Sequence, residues 1–352
     1  MTRPVRTAAI GLGWVAQNRH LPVMERSRRY AVVGVIDRED GRARTVAGRR
    51  GYPRHACATK LMEVPWIDEV DAVTIATSPM SHYPLVEEAL ALGKHVLTEK
   101  PFTMTLDQGE SLVRAAASAN RCLGIVHNFQ FSRSIQRLRR DIGKGHLGAI
   151  SGIDAIQFGN PARRLPAWYD ELPLGLFYDE SPHLLYLIRS IAGELRVVHA
   201  LTAPSRTGLS TPARVEAWFQ ADSCDYTIKL SCNFESPLSE WYLIVFGERR
   251  IGIVDIFRDI YVSLPNDGAH DARRVVRTSI VATSQHWIQH IASGIPHLTG
   301  RLLYGNDIVF DRFARAIGGE ADALAPIGPD SALAVLKLQH AIIERQESIY
   351  SG

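Results

Sequence analysis

Gly11, Gly13 and Ala16 fall as G-x-G-x-x-A after the apolar run Val5–Ile10, at the opening of a helical pattern. No other feature constrains the chain as much. The first glycine permits a tight turn, the second lets a pyrophosphate approach the backbone, and the small third residue lets helix and strand pack closely. The helix N-terminus behind the turn offers free N–H groups and a partial positive charge to phosphates. The next apolar run, AVVGVID, ends in Asp37, whose carboxylate can accept hydrogen bonds from an adenosine ribose. A carboxylate there repels a 2′-phosphate, so NAD is expected ahead of NADP, although Arg38, next in line, can stack on adenine or pair with that phosphate. Arg3 and Arg6 ahead of AAIGLGWVA also resemble the start of a secretory leader. No cleavage site follows, and the nucleotide turn accounts for the same residues.

The rest of the first third alternates short apolar runs, at 5–10, 31–36, 72–76, 95–98 and 122–126, with helical patterns at 81–92 and 106–119. That is how a parallel sheet with crossover helices reads. After about residue 150 the hydrophobic period changes to two. In DYTIKLSCNF, Tyr226, Ile228, Leu230, Cys232 and Phe234 share one face, and EWYLIVF and RIGIVDIF read as a hairpin of the same antiparallel sheet. An amphipathic helix is expected from 331 to 348. The predicted class is α/β: a dinucleotide-binding Rossmann domain over 1–126, then a substrate-binding and oligomerisation domain over 127–352 with a large open, mostly antiparallel sheet.

The 40 basic and 37 acidic residues are too balanced to suggest a nucleic-acid partner. No apolar run approaches the ~18 residues of a membrane span. The four cysteines form no C-x-x-C pair, which fits a reduced, cytoplasmic protein with a small-molecule ligand.

TEKPF places Glu99, Lys100 and Pro101 at the end of a predicted parallel strand, the edge where open α/β sheets bind ligands. With this motif, GLGWVA, ATSPMSHYPLVEEAL and GHLGAI, the chain resembles the glucose-fructose oxidoreductase, inositol dehydrogenase and rhizopine-catabolism group, the Gfo/Idh/MocA family of NAD(P)-dependent oxidoreductases. The resemblance implies a cofactor site drawn from Gly11, Gly13, Trp14, Val15, Asp37, Arg38, Thr77, Ser78, His82, Glu99, Lys100 and Asn128. It also makes Lys100 a catalytic candidate beside the nicotinamide. An ammonium there can hydrogen-bond a developing alkoxide.

YDESPHLLYLI is similar to the family's D-x-x-x-H motif, which assigns catalytic roles to Asp179 and His183. Ser181 reads as a helix cap and Pro182 as the first helical residue, which would put His183 in the first turn, where the helix dipole opposes protonation. The family pattern commonly continues to an aspartate three residues after the histidine. Here that position is Tyr186, either a packing residue or a hydroxyl taking over a polar contact. Asn160, Arg163, Arg164, Trp168 and Tyr169, in FGNPARRLPAWYDELP, are candidates for holding a polyhydroxylated ring.

His286 and His290 lack the H-E-x-x-H acid, so no metal is expected. The resemblance implies hydride transfer between NAD and a sugar, cyclitol or related polyol by a homodimer or homotetramer joined through the second sheet, with Trp218, Trp241 and Tyr242 as candidate face aromatics. Two rivals are a non-enzymatic metabolite sensor and an NAD-retaining enzyme that uses transient oxidation for elimination or glycoside cleavage.

Overall fold

The apolar runs of the first third lack polar alternation, as strands covered on both faces must. In the computed structural model, which describes residues 3–163, 165–222 and 224–348, they become β1 (Val5–Ile10), β2 (Tyr30–Asp37), β3 (Arg54–Cys57), β4 (Ala72–Ile75), β5 (His95–Thr98) and β6 (Leu123–Ile125). These form a six-stranded sheet in the order β3-β2-β1-β4-β5-β6, parallel throughout. The order reverses between β1 and β4, so a ligand crevice opens beyond their C-terminal ends. The short β3 was not expected from its alternating, half-polar sequence RHAC.

Helices α1 (Leu21–Arg26), α2 (Asp40–Arg50), α3 (His82–Ala91) and α4 (Leu106–Ala119) cross over between strands. Local chemistry sets the ends of α4: the Thr105 hydroxyl accepts the Gln108 N–H at 3.3 Å, and Asn120 closes the helix in the left-handed region at φ 51°.

The second unit contains α5 (Arg133–Gly143), β7 (Ile150–Phe158), α6 (Leu176–Ala192), β8 (Leu195–Ala203), β9 (Arg214–Ala221), β10 (Cys224–Asn233), β11 (Glu240–Gly247), β12 (Arg250–Asp255), β13 (Ile260–Pro265) and α7 (Ala272–Leu298). With β14 (Gln346–Ser348) its strands form an eight-stranded sheet, β13-β12-β11-β7-β10-β9-β8-β14. Only the β7–β10 and β8–β14 pairs are parallel. Ile228, Leu230 and Cys232 are buried on one face of β10, Phe234 just beyond it is buried too, and α6 packs against β7 and β10. Burying side chains of this size contributes roughly 1.5–3 kcal/mol each.

The edge strand β13 is sealed from α7 by two glutamines one helical turn apart. Gln285 accepts the Ser263 N–H and donates to the Ser263 carbonyl, and Gln289 does the same for Tyr261. These side chains satisfy backbone groups that an open edge would present to other chains. The opposite face of α7 carries exposed Ile280, Trp287, Ile288, Ile291 and Ile295.

The chain divides into residues 1–128 with 305–337, and 129–304 with 338–352. Residues 305–337, expected from sequence to lie in the C-terminal domain, thus cluster with the Rossmann sheet. They contain α8 (Asn306–Ile317) and the start of α9 (Pro329–Arg345). The reason is apolar: Phe313 and Leu324 approach Gly124 of β6, and Leu333 and Leu336 approach Gly109 of α4. The terminal helix also ends earlier than expected, at Arg345, because Gln346–Ser348 pairs with β8. No helix among the described residues is long and apolar enough to cross a membrane.

Candidate functional site

In the first unit the turn after β1 is shaped by what surrounds it. Gly11 has φ +79°, and a Cβ on it would stand 2.5 Å from Thr77 Cγ2 and 2.9 Å from the Ala76 carbonyl group. Only glycine fits there. A Cβ on Gly13, by contrast, would meet nothing within 4 Å. The backbone at Gly13 is therefore open to a phosphate, while Gly11 is closed against β4.

Asp37 ends β2 with 3% of its surface exposed. Its Oδ2 accepts the Leu12 N–H at 2.7 Å and its Oδ1 the Glu39 N–H at 3.0 Å, while Arg42 Nη1 lies 3.4 Å from both oxygens. The expected ribose acceptor is thus also the clasp that joins the glycine turn to β2, and on each oxygen a backbone N–H is joined by a longer, shared contact from Arg42. Arg42, absent from the sequence prediction, places a cation beside it. Arg38 is exposed. Trp14 is 58% exposed, with the Arg19 guanidinium 4.8 Å from its ring centre, and Val15 is half-buried.

At the ends of β4 and β5, Thr77 and Ser78 are half-buried, and the Ser81 hydroxyl donates to the Ser78 carbonyl at 2.8 Å to close a short turn before α3. His82 is wholly buried. Its Nδ1 lies 2.7 Å from the Pro101 carbonyl and its Nε2 3.4 Å from the Thr77 carbonyl, so it ties together the two loops that carry cofactor candidates. Burial lowers its pKa, outweighing those hydrogen bonds and the charge of Glu99.

Lys100 is half-buried at the end of β5, and the peptide bond joining it to Pro101 is cis. Glu99, expected at the cofactor, turns one oxygen to His20 Nε2 at 3.0 Å and the other to the Lys100 backbone N–H at 3.2 Å. Asn128, at the end of the unit, is buried.

In the second unit α6 departs from expectation. It begins at Leu176, not at Pro182, and Gly175 precedes it at φ 55°. Its first N–H is capped by Thr211, whose hydroxyl accepts from Leu176 at 2.9 Å. The apolar run Leu176–Tyr178 carries the helix backwards, and Pro182 ends up in its interior. Proline there deprives the Tyr178 carbonyl of its usual i+4 donor. Gln339 replaces it, donating to that carbonyl at 2.8 Å and to Ser181 Oγ at 3.0 Å.

The correction moves the electrostatics. Asp179 occupies the first turn, and His183 stands deeper in the helix, where the dipole effect has largely faded. The two are four residues apart and so share a helical face.

His183 is 9% exposed. Its Nδ1 is 2.9 Å from the Tyr186 hydroxyl, which accepts the Phe129 N–H at 3.0 Å. The ring centre lies 4.8 Å from that of Phe129 and 5.4 Å from that of Trp241. The Tyr186 hydroxyl is therefore the imidazole's partner at Nδ1. Trp241, expected on the sheet's open face, points inward, because adjacent strand residues alternate and Tyr242 takes the other side.

The substrate candidates are partly committed within the protein. The Asn160 side chain donates to the Pro237 carbonyl at 2.8 Å and accepts the Ala162 N–H at 2.8 Å. Arg163 pairs with the buried Glu180, which also takes the Gln157 amide. Trp168 is half-buried and Tyr169 buried at a short 3₁₀ turn. Arg164 lies outside the described residues.

A family model described as an oxidoreductase family with an NAD-binding Rossmann fold, Gfo/Idh/MocA, matches residues 5–127. The D-xylose dehydrogenase of Paenarthrobacter nicotinovorans is 28% identical over 57% of this chain and 53% of its own length. The NADP(+) scyllo-inositol 2-dehydrogenase of Bacillus subtilis is 23% identical over 59% of this chain and 57% of its own. The chain spans about half the length of the curated relatives it matches. The crystal structure of GenD2 from gentamicin A biosynthesis, in complex with NAD, shares the fold over 98% of this chain and 95% of its own, with a TM-score of 0.76 at 18% identity. Residues 5–127 are thus similar to the NAD-binding Rossmann domain of the Gfo/Idh/MocA oxidoreductase family.

Proposed function

We propose that the protein is an NAD-dependent dehydrogenase interconverting a secondary alcohol and a ketone on a sugar, cyclitol or related polyol. The observation that carries this reading is the Gly11 turn clasped by Asp37, in a segment matched to an NAD-binding oxidoreductase family. The open backbone at Gly13 fits a pyrophosphate, and the buried carboxylate at Asp37 fits an adenosine ribose that lacks a 2′-phosphate. Relatives named for xylose and inositol support the substrate class.

NAD, when bound, supplies a hydride acceptor at nicotinamide C4. In the oxidative direction His183, oriented by Tyr186, takes the hydroxyl proton, the Asp179 carboxylate on the same helical face stabilises the imidazolium by its charge, and the Lys100 ammonium hydrogen-bonds the developing oxyanion. If His183 accepts that proton at Nε2, Nδ1 carries the other and donates to Tyr186. The tyrosine oxygen has two lone pairs, enough for this bond and the Phe129 N–H. Trp168 and Tyr169 flank the ring, and the working form is a homodimer or homotetramer that buries the Trp218 and Tyr242 face of the sheet.

A polyol panel followed by NADH absorbance tests the reading. Net NADH from at least one polyol is expected, with a higher kcat/KM for NAD than for NADP. Lys100→Met should reduce turnover by about a thousandfold or more while NAD still binds. Full activity in that variant refutes the assignment. Light scattering showing only monomer at micromolar concentration refutes the oligomer.

A further inference from the structure

His20 belongs to no motif in the sequence, yet it is wholly buried at the end of a π-helical stretch, Ala16–His20, in the segment that opens from the glycine turn. π-Helical stretches of this kind are frequent at functional sites. Its ring meets Phe310 edge-on, 5.1 Å between centres. Through Glu99, which bonds His20 on one oxygen and the Lys100 N–H on the other, a single carboxylate joins the nucleotide-binding segment to the strand end that carries the lysine.

The position of the proton follows from what is left unpaired. His20 Nδ1 is buried with no hydrogen-bond partner. An N–H stranded there costs more than a stranded lone pair, since orphaned buried N–H groups are the rarer of the two. Nε2 is therefore the nitrogen that donates to Glu99. That hydrogen bond orients the carboxylate. Burial alone would raise the Glu99 carboxyl, but the hydrogen bond and charge of His20, followed by the charge and backbone N–H of Lys100, hold it below its ordinary value, so its negative charge is there to act on the ammonium of the adjacent residue. His82, from α3, also feels both Glu99 and Lys100, and its burial favours its neutral form.

We infer that His20 and Glu99 form a buried positioning pair that holds Lys100 as an ammonium and fixes it to the nucleotide-binding segment. Lys100 then acts as hydrogen-bond donor to the oxyanion, and proton acceptance falls to His183. This deepens the dehydrogenase reading and rests on it.

The test follows the reactivity of Lys100 without substrate, by competitive labelling of the intact protein with trace acetic anhydride across pH and mass spectrometry of the Lys100 peptide. Glu99→Gln keeps the shape and removes the charge, and should lower the pH midpoint of Lys100 labelling by about one pH unit. It should also lower kcat about tenfold or more, with NAD affinity within about threefold. His20→Leu should reproduce the loss in kcat, whereas His20→Gln, which restores an N–H donor near Nε2, should recover most of it. An unmoved midpoint in Glu99→Gln, or His20→Gln as impaired as His20→Leu, overturns the pair. A fully active Lys100→Met overturns the dehydrogenase reading, independently of the labelling result.

Discussion

At the nucleotide turn of the first unit the groups that matter are mostly backbone: the open peptide at Gly13, the Leu12 amide clasped by Asp37, the close approach of Gly11 to Thr77. Around His183 in the second unit they are side chains brought from three separate segments, Phe129, α6 and Trp241 of β11. A site made of backbone can be specified by a few residues in sequence order, because glycine and a strand-end carboxylate carry their geometry with them. A site made of side chains is specified only when distant segments pack.

The contrast is open to breakage at several points. Gly11→Ala forces a side chain into a left-handed backbone and against Thr77, and should cost about 2–4 kcal/mol in urea unfolding. Gly13→Ala has room for its methyl, so it should fold with nearly unchanged stability and instead lose about tenfold in NAD affinity by fluorescence titration. Equal destabilisation of both would show that the turn is merely structural.

In the second unit, Gln339→Leu strands the Tyr178 carbonyl and should cost about 1–3 kcal/mol. Pro182→Ala supplies the missing N–H, so the loss should shrink in the double variant, and strict additivity in a double-mutant cycle would exclude the replacement. Tyr186→Phe removes the hydroxyl between His183 and Phe129. It should lower kcat about tenfold and leave NAD affinity unchanged, since the change perturbs the imidazole rather than the nucleotide turn.

The smallest effect concerns acid stability. Burial keeps the folded-state pKa of His82 below its ordinary value, and burial followed by the charge of Arg121 does the same for His95. Both are protonated more readily in the unfolded chain. The stability they contribute is complete above the unfolded value of about 6.5 and declines as the pH falls below it. His82→Gln should flatten the fall in urea midpoint between about pH 7.5 and 5.5; an unchanged slope would remove His82 from the account.

Much of this architecture is legible in the chain. The limits of β1, β5 and α4 match the periodicity and the caps, because each is set by near neighbours: an apolar run, Thr105, Asn120. The start of α6 is not legible, since Ser181 and Pro182 offer a local start signal that Thr211 and Gln339 override from elsewhere in the chain. His20 left a faint signal, a histidine sharing the helical face of Ala16, Val23 and Met24, which are all buried. Nothing in its own segment points to Glu99, 79 residues away.

By itself, then, the sequence determined the parallel and antiparallel sheets, the glycine turn and the chemical types available at each strand end, because these depend on steric and hydrophobic patterns repeated over a few residues. Tertiary structure alone decided which partner each polar group received: Glu99 for His20, Tyr186 for His183, Gln339 for the carbonyl that proline abandoned. The physical reason is that a buried polar group must be satisfied by whatever donor or acceptor packing brings within about 3 Å, and only the folded chain determines which one that is.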